Sequence, residues 1–378
     1  MRHCRMAIYE EMTMTDQETY DRTLDAPSPA SVAAEPAVPL PNEPYYQRPP
    51  DLRHAPRARG LGVALVLVGL LLLSFQVFGR GVAFGGTGSI TLVDQDYQGS
   101  RIELSAAASD VEIRPGSGNR IHIEAIQRGG SQGDYQVNVV PSEDTVRVTE
   151  SSSSFFCFFC SRGVRYRITV PSGGQADIRT ASGEIDVEGL SGAVSLASGS
   201  GDVRAGDLTG GLTVSTTSGE VQLNDIAGKL DVGSISGDVK LENGKIDGAT
   251  VSTTSGEVDL DGVAGALKLT SVSGDIHVRE ARDGQLDVST TSGEIKYEGS
   301  LASKSANSLN SISGDVNLRL PDASGFRLDA STVSGDLSSE FELRDGQQAR
   351  RNLSGAAGDA SATLTIGTTS GDISIERQ

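Results

Sequence analysis

The chain has 378 residues, of which 46 are glycine and 4% are aromatic, and it contains no tryptophan. So few large aromatic side chains argue against a conventional globular core and favour a repetitive β architecture filled by small aliphatic residues. The formal net charge of −18 argues against nucleic acid as a partner, because phosphate binding relies on clusters of Lys and Arg.

The first sixty residues are rich in Pro, Ala and acidic residues, as in DAPSPASVAAEPAVPLPNEPYYQRPP. This composition buries too little apolar area to offset the entropy of ordering, so the sequence predicts a disordered tail over residues 1–60. The tail is interpreted as a spacer. The alternative is a docking segment that binds a cytoplasmic partner through its Pro and Tyr residues.

Residues 61–79, LGVALVLVGLLLLSFQVFG, carry no charge and are long enough to cross a hydrocarbon core of ~30 Å as a helix. Arg53, Arg57 and Arg59 precede this run and only Arg80 follows it. The positive-inside rule then predicts a single-pass cell-membrane protein with residues 1–60 in the cytoplasm, a linker over 80–88 and an extracytoplasmic C-terminal domain. The alternative is a signal peptide cleaved near residues 81–84, but a sixty-residue leader is atypical.

Residues 89–171 alternate apolar and polar residues in irregular segments such as RIELSAAASDVEI and VRYRITVP. They predict an N-terminal β region and cap, which a solenoid needs because its end exposes unpaired strand edges. Within them, SDVEI at residues 109–113 resembles the repeat triplet described below without its glycine.

An insertion at residues 151–163, SSSSFFCFFCSRG, does not follow the repeat. Cys157 and Cys160 lack the further Cys or His ligands that a zinc site needs, and outside the cell they are candidates for a disulfide. The neighbouring aromatic residues are interpreted as packing over the end of the solenoid. The alternative is an exposed contact patch for a partner or for lipid. These residues are Phe155, Phe156, Phe158 and Phe159.

From residue 172 onward a Ser-Gly-acid triplet recurs every 18–21 residues, and the last gap of 36 residues is interpreted as two repeats with a degenerate copy near Ser354 and Gly355. The triplet glycines are Gly183, Gly201, Gly219, Gly237, Gly256, Gly274, Gly293, Gly314, Gly335 and Gly371. A fixed period of this size predicts a solenoid.

The triplet is predicted to form a corner. Leu212 and Val214 alternate with polar residues on even numbers, whereas Val221 and Leu223 do so on odd numbers. The alternation therefore slips by one residue near Gly219, which we expect to supply a backbone with φ above zero. A second bend is predicted at segments such as NDIAG and LDGVAG. The predicted fold class is all-β, a parallel β-helix or solenoid of about 18–19 residues per coil over residues 172–378, with a 36-residue coil as the alternative.

Glu and Asp alternate along the triplets, and the residue two before the glycine alternates between Thr and Ile or Val. In an 18-residue coil the acids would stack ~4.8 Å apart and repel one another unless they were screened, protonated or bridged by cations. The main interpretation is solvated turn chemistry without a cofactor, and the alternative is a row of calcium sites. The candidate ligands are Asp202, Asp238, Asp275 and Asp315.

Catalysis is not indicated. The chain has only four His residues, and none is placed to pair with a nucleophile. Each coil carries an acid, so no single carboxylate is distinguished as an acid opposite a base. The chain is therefore predicted not to be an enzyme, and a polysaccharide-active β-helix is the lesser alternative.

The segments RIELSAAASDVEIRPG and YRITVPSGGQADIRTASGEIDVEGLSG, followed by the SGDV and SGEV copies, resemble the bacterial putative-adhesin β-strand repeat family over about residues 90–378. The resemblance implies a right-handed parallel β-helix on the cell envelope, often membrane-anchored, and it brings no catalytic residues. The expected function is surface binding or scaffolding. The alternative, implied by some relatives, is envelope-stress signalling through the tail. Expected partners are the lipid bilayer around residues 61–79 and either an envelope component or a second copy.

Overall fold

The computed structural model describes residues 89–129, 133–152 and 163–378, and every regular element in these ranges is a β-strand. Within them, no helix is long and apolar enough to cross a membrane. The tail, the apolar run at 61–79, the cysteines Cys157 and Cys160 and the four Phe residues beside them lie outside the described residues.

The strands follow one another closely along the chain. They are β1 (Ser89–Gln98), β2 (Arg101–Ala108), β3 (Asp110–Gly116), β4 (Arg120–Arg128), β5 (Tyr135–Ser142), β6 (Thr145–Ser152), β7 (Gly163–Pro171), β8 (Gln175–Ser182), β9 (Ile185–Glu188), β10 (Val194–Ser198), β11 (Val203–Leu208), β12 (Leu212–Thr216), β13 (Val221–Ser234), β14 (Val239–Glu242), β15 (Lys245–Thr253), β16 (Val258–Asp261), β17 (Ala264–Ser271), β18 (Ile276–Thr290), β19 (Ile295–Leu301), β20 (Ala306–Ser311), β21 (Val316–Leu320), β22 (Phe326–Ser334), β23 (Leu337–Ser339), β24 (Arg344–Ala349), β25 (Asn352–Ala357), β26 (Ala362–Ser370) and β27 (Ile373–Arg377).

The repeats form two parallel sheets. Sheet B contains the strands that precede each triplet, and sheet A contains those that follow it. Leu212 pairs with Val194 on one side and with Leu230 on the other, a step of 18 residues each way. The shorter coil is therefore confirmed, and the 36-residue alternative is wrong.

The core lies between the two sheets. In one coil Val221 and Leu223 point inward from sheet A and Leu230 and Val232 from sheet B, and all four are fully buried. Burial of such a side chain contributes about 1.5–3 kcal/mol. Because the same positions are aliphatic in successive coils, the small residues noted in the composition fill a continuous core.

The triplet forms the corner between the sheets, as predicted, but its glycine serves a different purpose. Apart from Gly183, the triplet glycines do not have φ in the left-handed range. Instead, a Cβ on Gly219 would overlap the carbonyl oxygen of Gly201 in the preceding coil, and a Cβ on Gly237 would overlap that of Gly219. The corner needs glycine because the backbones of stacked coils approach too closely for any side chain, so the expectation of a positive φ was wrong.

At the N-terminal end, the coil formed by β2 and β3 lies between the β6–β7 coil and the β8–β9 coil. Its corner residue Ser109 stacks on Gly183, which confirms that SDVEI is a triplet copy without glycine. Strands β4 and β5 pair antiparallel with the outermost coil, and β1 pairs with β4. The undescribed insertion connects β6 to β7, where other coils have the triplet.

At the C-terminal end the order of coils in space differs from their order in sequence. The β26–β27 coil lies between the β20–β21 coil and the β22–β23 coil, in parallel register with both. Ser354 and Gly355 belong to β25, which pairs antiparallel with β22. The expectation of a degenerate corner there was therefore wrong, because the 36-residue gap contains a hairpin rather than a coil.

Candidate functional site

Most corners of the repeat are held by a buried hydroxyl three residues before the glycine. The Gly219 N–H donates to Thr216 Oγ1 at 3.1 Å, and the Gly256 N–H donates to Thr253 Oγ1 at 2.9 Å. Ser234 both accepts from the Gly237 N–H and donates to the Gly237 carbonyl oxygen. The hydroxyls satisfy backbone groups that the bend leaves without ladder partners.

The Asp copies of the triplet bind the backbone of the next coil. The Glu220 N–H donates to Asp202 Oδ1 at 3.1 Å, and the Glu257 N–H donates to Asp238 Oδ1 at 2.9 Å. The same bond is made by Asp275 and Asp315, with distances of 2.8 Å.

The four Asp residues that were candidate calcium ligands are therefore each engaged with a backbone N–H, and the corner between two of them in the series Asp202 to Asp275 carries a Glu. In the described part of the chain, no group of three or more His, Cys, Asp and Glu residues could hold a metal ion. The calcium hypothesis stays a prediction, with ligands that already have another partner.

The Glu copies bind side chains of the next coil instead. Lys240 Nζ lies 2.8 Å from Glu220 Oε1, and this hydrogen bond lowers the pKa of the Glu220 carboxyl. His277 Nδ1 lies 3.1 Å from Glu257 Oε1, and Arg204 pairs with Glu184. In each of these three pairs the partner lies two positions after the Asp of the next coil, so the two-coil alternation has a physical basis. The Asp carboxylate accepts a hydrogen bond from a backbone N–H of the next coil, and the Glu carboxylate pairs with a side chain of the next coil.

The outward face of sheet A carries a network of charges. Arg114 Nη2 lies 2.7 Å from Asp186 Oδ2, and Arg279 Nη2 lies 2.9 Å from Asp259 Oδ1. The hydrogen bond that the Arg279 guanidinium donates to the Asp259 carboxylate raises the pKa of Arg279. These pairs are partly exposed, so each adds at most about 1 kcal/mol to stability.

Sheet B has a different outward face near the corner. Over nine stacked coils, the two outward positions before the triplet serine, and the serine itself, carry no charge. We call this surface the uncharged stripe. It consists of Ala197, Gly199, Ser200, Ser215, Thr217, Ser218, Gly233, Ile235, Ser236, Ser252, Thr254, Ser255, Thr270, Val272, Ser273, Ser289, Thr291, Ser292, Asn310, Ile312, Ser313, Ser331, Val333, Ser334, Gly367, Thr369 and Ser370.

The central row of the stripe alternates hydroxyl and apolar side chains. In spatial order from the second coil of the stripe it reads Thr217, Ile235, Thr254, Val272, Thr291, Ile312, Thr369 and Val333. In sequence order, Val333 would follow Ile312 directly. The inserted C-terminal coil places a Thr between them, so the alternation is complete only in the folded solenoid.

The apolar members of this row are four of the five large hydrophobic residues exposed in the described part of the chain, and the fifth, Val140, lies in β5 at the N-terminal end. Their exposed fractions are 51% for Ile235, 46% for Val272, 53% for Ile312 and 60% for Val333. The hydroxyls of the intervening Thr residues have no hydrogen-bond partner in the described part of the chain. The row therefore presents unpaired donors and acceptors between apolar contacts.

The sequence contained the signal for this row, namely the Thr or β-branched residue two before each glycine, but the alternation alone does not show which face of the solenoid carries it. Neighbouring coils lie ~4.8 Å apart and alternate residues of a strand ~7 Å apart. The stripe is therefore a regular array, about 38 Å long between its first and last coils.

Side chains that could carry catalysis or stack on sugars do not lie in the uncharged stripe. His122 Nδ1 lies 2.9 Å from Asp96 Oδ1, and His277 contacts Glu257, so each described His faces a carboxylate rather than a nucleophile. All the aromatic residues after residue 173, namely Tyr297, Phe326 and Phe341, are buried. The solenoid faces in residues 173–378 thus offer no aromatic platform for a sugar ring.

Two solved structures are similar to this chain. One is a putative cell adhesion protein from Clostridium sporogenes ATCC 15579, with 12% identity, coverage of 76% of this chain and 100% of that chain, and a TM-score of 0.19. The other is a putative adhesin from Bacteroides fragilis NCTC 9343, with 13% identity, coverage of 77% and 99%, and a TM-score of 0.33. No curated protein matches the sequence.

The family model described as Toastrack DUF4097 matches residues 99–307 and 283–376, which together include nearly every coil. This match confirms the resemblance carried by the Ser-Gly-acid repeats. The chain belongs to the Toastrack DUF4097 family.

Proposed function

We propose that this chain is a non-catalytic, membrane-anchored module that binds at the cell surface through the uncharged stripe, in the manner of an adhesin. The observation that carries the proposal is the stripe itself. A chain with a net charge of −18 keeps one face of nine coils free of charge and exposes a row of β-branched side chains along it. Exposed apolar side chains that line up along one uncharged face, rather than being scattered singly, are typical of interaction sites.

The construction of the solenoid supports a binding role. The backbone that carries the central row is hydrogen-bonded to the coils on both sides: the Ile235 N–H donates to the Thr216 carbonyl oxygen, and the Ser255 N–H donates to the Ile235 carbonyl oxygen. A surface fixed in this way loses little conformational entropy when it binds. Many weak, equivalent contacts along such an array add up to one strong attachment.

The anchor is the second part of the proposal. Residues 61–79 form a transmembrane helix, with the Arg residues before them holding the tail in the cytoplasm and the solenoid outside.

A matched pair of variants tests the binding face. Detergent-solubilised membranes from bacteria that produce the full chain are compared with those from bacteria that lack it, and attachment of the chain to an immobilised envelope fraction of the producing cells is measured. Thr254→Lys puts a charge in the stripe, and Asn224→Lys puts the same charge on the outward face of sheet A, at a position that is also exposed and uncharged. We expect Thr254→Lys to reduce attachment and Asn224→Lys to leave it unchanged. Equal attachment by both variants would refute the stripe as the binding face.

Removal of the tail separates this function from envelope-stress signalling. A surface module without residues 14–50 still attaches, provided that the chain still reaches the membrane. If the chain instead signals envelope stress through the tail, the same deletion abolishes the stress response, whether or not the chain still attaches.

A further inference from the structure

We infer that the partner of the uncharged stripe is the stripe of a second copy of this chain, with the two solenoids side by side and pointing the same way. The inference rests on the proposed function, because it assumes that the stripe is the binding face. It adds the identity of the partner and the orientation of the pair.

Charge is the first argument for a second copy. Two chains that each carry a net charge of −18 repel each other across most surfaces, including the row of triplet acids and the charged face of sheet A. The stripe is the face on which nine consecutive coils of the described solenoid carry no charge. Only an approach over this face avoids placing acids of one copy against acids of the other.

The chemistry of the stripe is self-complementary. A hydroxyl both donates and accepts hydrogen bonds, so a row of Ser and Thr can pair with an identical row. If a twofold axis runs parallel to the stack of coils, between the central rows of the two copies, each coil faces the same coil of the second copy. Val272 then packs against Val272 of the second copy, and Thr254 hydrogen-bonds to Thr254 of the second copy.

The opposite orientation is disfavoured by the next outward row of sheet B. An antiparallel pair in which all nine coils overlap has its axis at the coil of Val272, so that Ile235 meets Ile312. This arrangement also brings Lys268 of the two copies together, because Lys268 lies in the same coil as Val272. In the parallel arrangement this row extends past the corner of the second copy and does not meet itself.

The stripe is large enough for a stable pair. The stripe spans four residues of each coil, about 14 Å, and is about 38 Å long, so each copy contributes on the order of 530 Å². Both copies together bury about 1,060 Å², which is above the roughly 1,000 Å² that a specific interface needs. Small side chains such as Gly233 and Ser252 allow the two flat faces to approach closely.

Single cysteines provide the test. In membranes from cells that produce the full chain with Cys4, Cys157 and Cys160 replaced by Ser, we introduce Val272→Cys or Ile235→Cys and oxidise mildly. Each position faces itself in the parallel pair, so both variants should give a covalent dimer on a non-reducing gel. Asn224→Cys, on the outward face of sheet A, is the matched control and should stay monomeric. Adding Thr254→Lys to Val272→Cys should reduce the dimer by more than about tenfold, because like charges then face each other.

Two outcomes would overturn the inference. If only one of Ile235→Cys, Val272→Cys and Thr291→Cys cross-links, the copies pair antiparallel, because an antiparallel axis brings a single coil onto itself, and the proposed orientation is wrong. If no stripe cysteine cross-links more than Asn224→Cys, the partner is not a second copy. In that second case the attachment assay still tests the proposed function. Loss of attachment in Thr254→Lys would mean that the stripe binds a different partner.

Discussion

Substitution of a single corner glycine should destabilise the solenoid far more than substitution of a glycine four residues away. In Gly237→Ala the new Cβ would overlap the Gly219 carbonyl oxygen and lie 2.7 Å from the Gly219 carbonyl carbon. Both are backbone atoms of the coil beneath, so the two coils must separate. Gly233 lies in β13, just before the same corner, and a Cβ there meets no atom within 4 Å.

The cost follows from the hydrogen bonds around this corner. The Ser236 N–H donates to the Thr217 carbonyl oxygen at 2.9 Å, and the Val221 N–H donates to the Asp238 carbonyl oxygen at 2.8 Å. Ser234 adds two bonds to Gly237, of 2.7 and 2.9 Å. Each such bond contributes about 1 kcal/mol net, so partial loss of the four lowers the free energy of unfolding by about 2–4 kcal/mol.

Urea unfolding followed by far-UV circular dichroism measures the difference, through the midpoint and the slope m. Gly233→Ala is the control. We expect it to be neutral or to stabilise the protein by up to about 1 kcal/mol, because alanine restricts the unfolded chain. If Gly237→Ala unfolds at the same urea concentration as Gly233→Ala, the stacked carbonyl does not require glycine, and our explanation of the triplet fails.

Three further predictions address the acids and the ends of the solenoid. Lys240→Met should slightly reduce stability at neutral pH, and the difference should vanish as the pH falls through the folded-state pKa of Glu220, because a carboxyl with a lowered pKa loses its stabilising contribution when it is protonated. Parallel pH titrations of both proteins by urea unfolding would check this, and a difference that persisted in acid would contradict it. Millimolar calcium should leave the unfolding temperature unchanged relative to a chelator, since the triplet Asp carboxylates are engaged with backbone N–H groups; a marked rise would favour the calcium hypothesis. Leu364→Ala should cost about 2–5 kcal/mol, because Leu364 is fully buried in the inserted coil, and a cost near zero would mean that this coil is not part of the core.

The coil and its corner could be predicted from sequence because both depend on local periodicity. The shift from even to odd apolar positions between Val214 and Val221 requires a bend, and the period of 18 residues sets the stacking register. The role of the glycine could not be predicted in the same way. A glycine required by φ and a glycine required by a neighbouring backbone look identical in one sequence, and only the position of the Gly201 carbonyl distinguishes them.

The C-terminal arrangement was missed because spacing reports sequence order and not spatial order. The alternation of the central row contained the missing information, since Ile312 and Val333 break it and Thr369 restores it. The pairing of the acids was missed for a related reason. Lys240 and His277 had no assigned partner until stacking placed them above Glu220 and Glu257.

The inserted C-terminal coil has a consequence for the timing of folding. During synthesis, residues 326–339 leave the ribosome before residues 362–377, which lie beneath them in the finished stack. The earlier coils can add one at a time as they emerge. The last two cannot, because the β22–β23 coil has no completed surface to dock on until the chain that fills the gap has been made. This end of the protein therefore closes in one late, cooperative step.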